Sequence, residues 1–162
     1  MAHQIRPYRP GDAPGILAVH RRSIMAISTE IYSSAELESW HHGKTEEGYL
    51  HAMAEGETFL VGEDANSIAG FSSFKYHTDR TGQICGLYVD PKAQGIGLGY
   101  ALLRRSEDQL RHLGALRFMI EASLAAIPFY LRVGYTITAE LTHQTRGGLP
   151  LAICRVEREL DL

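Results

Sequence analysis

Apolar residues change their spacing along this chain, and the changes mark its elements. Residues 4–8 read as a short strand, and Pro10-Gly11-Asp12 as a turn, with Asp12 placed to cap the next helix. That helix carries Ile16, Leu17, Val19, His20, Ile24 and Ile27 at helical spacing. Ser33 and Glu36 stand three apart as a capping box, which predicts a short helix to residue 41, and residues 45–54 form a third, weakly marked helix. The period then shortens to two. Residues 58–63 and 67–76 flank Asp64-Ala65-Asn66 and predict a hairpin; a polar turn at 77–82 leads into a strand at 83–89.

The best-marked helix spans residues 97–112. Leu98, Leu102, Leu103, Ser106, Leu110 and Leu113 fall on one face, Arg104, Glu107, Asp108 and Arg111 on the other toward water, and Gly114 ends it. A strand at 116–121 follows. Because a helix separates it from the strand at 83–89, the two should pair in parallel. A short helix at 125–133, with Pro128 in its first turn, closes at Gly134; strands at 135–141 and 151–160 form a last hairpin. The order predicts one domain over residues 1–162, a mixed α/β sheet with helices on both faces.

Composition narrows the function classes. A formal charge of −3, with Lys and Arg scattered, gives no basic face for nucleic acid. Cys85 and Cys154 lie in apolar strand-like runs and read as buried free thiols suited to a reducing cytoplasm; neither has Cys or His partners at zinc-ligand spacing, so no metal is expected. No apolar leader opens the chain, and no apolar run reaches the roughly 18 residues a membrane helix needs. A cytoplasmic protein without membrane contacts is the expectation.

The chemistry concentrates in residues 87–103, an apolar strand, a Pro-marked turn, a glycine-studded loop and a helix start. Unpartnered N–H groups and the dipole of a helix N-terminus favour anions, so the segment suits a phosphate-bearing ligand. Gly99 is followed by Tyr100 and Ala101, which rules out a Walker loop. The dinucleotide pattern G-x-G-x-x-G fails from Gly95, where the sixth residue is Tyr100, and from Gly97, where it is Leu102. What fits is Gln94-x-x-Gly97-x-Gly99 after Val89-Asp90-Pro91. This resembles the pyrophosphate-binding motif of the GNAT superfamily of acetyl-CoA-dependent N-acetyltransferases. The run from Ala122 through Phe129-Tyr130 to Gly134-Tyr135 is similar to that family's second signature, and Tyr32 to Trp40 resembles small bacterial members of unassigned substrate.

The resemblance implies a GNAT-type, mostly antiparallel central sheet with a parallel, splayed strand pair and helices on both faces. It implies acetyl-CoA as co-substrate. Leu87, Tyr88 and Val89 would meet its pantetheine arm, and Gln94, Gly95, Ile96, Gly97, Leu98, Gly99 and Tyr100 its pyrophosphate. Ser123, Phe129, Tyr130 and Arg132 would complete the cofactor contacts, with Ser123 standing where the family commonly has Asn. The Val89 N–H would stabilise the oxyanion, and the Tyr130 phenol would protonate the leaving thiolate. Many relatives carry a Glu where this chain has Gln83, and an amide cannot take a proton. Glu121 and His77 are the remaining candidates for general base, Gln83 can orient a water, and His20 lies more remote. Met25, Tyr32, Trp40, Tyr76 and His143 are candidates to line the acceptor site for a small amine or a protein N-terminus. A homodimer is common among relatives. The competing classes are a non-catalytic acyl-CoA sensor of the same fold and a nucleotide-binding protein, the latter disfavoured by the failed motifs.

Overall fold

The computed structural model describes residues 3–161. Within these residues seven strands form one sheet: β1 (Gln4–Pro7), β2 (Thr58–Asp64), β3 (Ser67–Tyr76), β4 (Thr81–Val89), β5 (Arg117–Ser123), β6 (Thr136–Gln144) and β7 (Pro150–Glu159). Five helices accompany them: α1 (Ala13–Met25), α2 (Ser34–His41), α3 (Glu46–Ala54), α4 (Leu98–Leu113) and α5 (Ile127–Arg132). The strand order is β1-β2-β3-β4-β5-β7-β6. Every neighbouring pair is antiparallel except β4 and β5, which are parallel as a helical crossover requires.

Local chemistry explains most boundaries. Ser33 Oγ accepts from the Glu36 N–H and the Glu36 carboxylate accepts from the Ser33 N–H, so the capping box starts α2 as expected. Thr45 caps α3 through the Gly48 N–H. Ala65 and Asn66 both take positive φ, +46° and +70°, as a two-residue hairpin turn between β2 and β3 needs. Asp12 corrects one expectation. Its side chain makes no cap bond to α1; it accepts from the Arg6 guanidinium at 2.8 and 2.9 Å and from the Arg9 N–H at 2.7 Å. The Arg6 hydrogen bonds hold its carboxyl below the usual range and tie β1 to the start of α1.

Helices cover both faces. On one, Leu98, Leu102, Leu103 and Leu110 of α4 pack against Phe74, Ile84, Phe118, Ile120 and Val156. A Cβ at Gly82 would lie 2.8 Å from the Leu110 side chain, so glycine there lets the helix sit directly on β4. On the other face, Ile16 and Val19 of α1 meet Phe59, Val61 and Phe71, and Ile24, Tyr32 and Leu37 meet Leu151 and Ile153.

The α4 face departs from its sequence pattern at two places. Leu113, expected inside, is 57% exposed in the last turn. Glu107, expected in water, is 1% exposed. The closing hairpin brings Tyr135 and Arg158 over that side of the helix. Glu107 accepts from the Tyr135 hydroxyl at 2.6 Å and lies 3.0 Å from Arg158 and 3.3 Å from Arg104. Removing one partner of such a buried network strands the others. Glu107→Ala should therefore lower the unfolding free energy by about 3–5 kcal/mol in urea denaturation; a loss below about 1 kcal/mol would mean that water replaces the carboxylate without cost.

Candidate active site

The site begins at an irregularity in β4. Ile84 faces Phe74 and Gly86 faces Ser73 across the β3 ladder, so Cys85 is an extra residue, a bulge. The parallel pairing with β5 holds only from Thr81↔Arg117 to Ile84↔Ile120. Beyond it β4 stays with β3, β5 stays with β7 as far as Ser123, and a wedge opens between them.

The ladder also determines which backbone groups face the wedge. The Asp90 N–H donates to the Ala69 carbonyl at 2.7 Å. Hydrogen-bonded pairs alternate along an antiparallel ladder, so Tyr88 turns its polar groups to β3 while Leu87 and Val89 turn theirs away. The Val89 carbonyl accordingly accepts from Ser23 Oγ at 2.9 Å and Gln94 Nε2 at 3.3 Å. The Leu87 and Val89 side chains pack into the α4-side core. Tyr88 lies on the opposite face, its ring 4.2 Å from that of His20; burial, then nearby Tyr32, push its phenol up to about 12.

At the end of β4, Asp90 accepts from the Lys92 N–H at 3.0 Å and from Arg22 at 2.9 and 2.5 Å, holding a single 3-10 turn over Pro91–Ala93. Gly95 and Gly97 follow with φ +83° and +86°, and a Cβ at either would meet nothing within 4 Å. Gly97 is the N-cap of α4 and supplies no side-chain cap, so the first N–H groups of that helix are free for an anion. Ile96 and Tyr100 are exposed around this opening, while Leu98 is buried in the core. The open cradle and uncapped helix fit a diphosphate.

Inside the wedge lies a cleft of about 320 Å³. Tyr130, on α5, forms part of its wall and packs edge-on against Phe129 and Tyr135. Burial, then the nearby Tyr88 phenol, push Tyr130 up, so its hydroxyl stays protonated. Gln83, Leu87, Tyr88, Glu121, Ser123, Trp40 and His143 also line the cleft. Arg155 holds Glu121 at 3.2 Å. Several expected residues fall elsewhere. His77 is outside the cleft, in an adjoining groove, bonded through Nε2 to Gln83 Oε1 at 2.7 Å. Met25 is an exposed residue outside the lining. Tyr32 is 2% exposed and its hydroxyl is committed, donating to the Ala152 carbonyl and accepting from the Leu124 N–H. Tyr76 packs with the α4-side core because its strand parity turns it to that face. Arg132 is exposed on α5.

The cleft also holds residues that the pattern of the sequence did not single out: Lys44, Tyr49, Glu57 and Cys85. Cys85 is exposed rather than buried, because the bulge swings it out of the alternation. Its thiol lines the cleft, where desolvation, then the adjacent Glu57 carboxylate, push it up to about 12. His20, 8% exposed, also reaches the cleft, with Nδ1 2.9 Å from the Tyr49 hydroxyl and Nε2 without a partner. Burial, then the Lys44 charge, hold His20 well below its usual value. Among the described residues no three His, Cys, Asp or Glu side chains gather to hold a metal ion, and no helix is long and apolar enough to cross a membrane.

A sheet splayed at its parallel pair, with an open glycine cradle beside the wedge, defines a mixed α/β protein with a cleft for an extended, phosphate-bearing ligand. Residues 23–135 match the model of the acetyltransferase (GNAT) family, and the chain belongs to that family. It is 25% identical over 147 residues to the uncharacterized N-acetyltransferase YafP of Escherichia coli, covering 89% of this chain and 88% of that one. The solved GCN5-related N-acetyltransferase of Rhodopseudomonas palustris superposes with a TM-score of 0.88 at 28% identity, covering 99% of this chain and 97% of that one. PaiA N-acetyltransferase from Thermoplasma acidophilum, solved in complex with coenzyme A, has the same fold, with a TM-score of 0.81 at 21% identity, 99% of this chain and 100% of that one.

The buried histidine makes stability pH-dependent. His20 is disfavoured as a cation in the fold, so the unfolded chain binds one more proton as pH falls below about 6.5, and stability is lost in that direction. The loss should approach about 1.4 kcal/mol per pH unit toward pH 5 in denaturation series, and His20→Asn should flatten it. Equal slopes in the two proteins would contradict this reading.

Proposed function

We propose that this protein transfers an acetyl group from acetyl-CoA to a primary amine by direct attack within a ternary complex. The observation that carries this reading is the juxtaposition of the open cradle at Gly95 and Gly97 with backbone groups of Leu87 and Val89 turned into a wedge that ends at Tyr130. The acetyltransferase name of the matched family and the coenzyme A bound to the Thermoplasma relative support it.

Acetyl-CoA supplies the activated acetyl group. Free N–H groups at the start of α4 hold its pyrophosphate, and the wedge-facing edge of Leu87–Val89 aligns its pantetheine arm. Ser123 from β5 and Phe129 from α5 are proposed to flank that arm. The amine nitrogen bonds to the thioester carbonyl carbon while the Val89 N–H stabilises the negative oxygen. As the carbon–sulfur bond breaks, the Tyr130 hydroxyl, which burial keeps protonated at neutral pH, hydrogen-bonds to the sulfur and passes its proton on as negative charge builds there, and solvent in the cleft returns a proton to the phenol. The proton lost by the amine goes to a carboxylate of the cleft, Glu57 or Glu121, directly or through a water held by Gln83.

Tyr130→Phe should lower kcat about 100-fold while leaving the affinity for acetyl-CoA within about twofold, measured by release of free coenzyme A and by calorimetry. An unchanged kcat would remove Tyr130 from the reaction. Tight binding of acetyl-CoA with no acetyl transfer across a broad amine panel would instead identify a sensor of the same fold.

A further inference from the structure

The cleft is unevenly charged. Its carboxylates sit toward the splayed strands: Glu57 beside Cys85 at the β4 bulge, and Glu121 on β5 against Arg155. The part of the lining built from α1, α3 and the turn before α3 carries Lys44, His20 and Tyr49. Lys44 is half-buried, and its ammonium has no carboxylate partner among the described residues.

More positive charge gathers around it. Arg21 donates to the Lys44 carbonyl at 2.9 Å, fixing the turn, and its charge reaches the Tyr49 hydroxyl. Arg146 lies against the same turn, its Cδ 3.4 Å from where a Gly43 Cβ would be, and adds to the charge that Lys44 feels. Neither arginine forms an ion pair among the described residues. Glu46 and Glu47, the nearest acids in sequence, are exposed in the first turn of α3 and do not pair with Lys44. Held below its usual value by burial, then by Arg146, Lys44 lacks the counter-charge that a half-buried ammonium ordinarily finds. In the same part of the lining the His20 Nε2 is buried without a hydrogen-bond partner.

We propose that this wall is an anion subsite, and that the acceptor is a small amine bearing a carboxylate or another compact anionic group. The inference rests on the transferase reading above and adds the acceptor class to it. Lys44 takes the anionic group, and the amine at the other end of the molecule is left to the carboxylates of the cleft, Glu57 or Glu121. The cleft of about 320 Å³ also receives the thioester end of the co-substrate, so the acceptor it leaves room for is small. A polyamine would place its second cation against Lys44 and be repelled.

The test uses matched acceptors: L-alanine, L-methionine and L-phenylalanine against their carboxamides, 2-aminoethyl phosphate against ethanolamine, and putrescine. Coenzyme A release gives kcat/KM for each. Calorimetry gives the affinity of the N-acetylated amino acids and N-acetyl amides for the protein, with and without coenzyme A. At least one acid should exceed its neutral partner by about tenfold or more. Lys44→Met should erase that preference through KM, Lys44→Arg should retain most of it, and the affinity for acetyl-CoA should not move. The amino-acid and phosphate arms separate the two anion types. Equal use of acids and amides, putrescine as the best acceptor, or a preference untouched in Lys44→Met would overturn the subsite, even with transfer to neutral amines intact. Lys44-dependent binding of the N-acetylated acids without any turnover would uphold the subsite and overturn the transferase reading. Absence of binding and turnover for every anionic probe would overturn the subsite.

Discussion

The parallel ladder between β4 and β5 stops at Ile84 and Ile120, and the cause is local: Cys85 is an extra residue that the β3 ladder cannot accommodate without bending β4. Without the bulge, residues 86–89 would continue to pair with β5 and their backbone groups would be consumed within the sheet. With it, the sheet keeps β3 on one side of the break and β7 on the other, so the gap is held open by two intact antiparallel ladders. The cleft and the wedge-facing edge of Leu87 and Val89 lie at that irregularity, and α5 sets Tyr130 in the cleft wall.

Helix α1 makes the arrangement rigid. Three residues on nearly one turn reach across to the end of β4: His20 stacks on Tyr88, Arg22 holds Asp90, and Ser23 donates to the Val89 carbonyl. The same helix thereby supports the strand edge and, through Asp90, the turn that precedes the glycine cradle. On the far face α4 is seated on glycines of the sheet, so the N-terminus that points at the cradle cannot drift from the strand.

Much of this was legible before the structure. The order of elements, the parallel pair and the capping box at Ser33 and Glu36 follow from periodicity and local hydrogen-bond chemistry, and the structure has them. The cradle was legible because glycine spacing at a strand–helix junction is a local property. What escaped depends on contacts distant in sequence. Glu107 lies on the polar side of its helix by pattern, and only the returning hairpin buries it against Tyr135 and Arg158. Lys44, Tyr49 and Glu57 belong to turns and a weakly amphipathic helix, and it is the sheet that brings them to one cleft. Tyr32 and Trp40 are both aromatic candidates for the acceptor site in the sequence; Tyr32 spends its hydroxyl on two backbone groups, while Trp40 reaches the cleft wall.

The central claim is that the opened edge of β4 and the glycine cradle receive the two halves of one coenzyme A molecule. Amide hydrogen exchange followed by mass spectrometry, with and without acetyl-CoA, tests it most directly. Protection should rise together in peptides covering residues 86–89 and 94–100, while β1 and β2 stay unchanged. Protection confined to other segments, or none at saturating acetyl-CoA, would contradict the account.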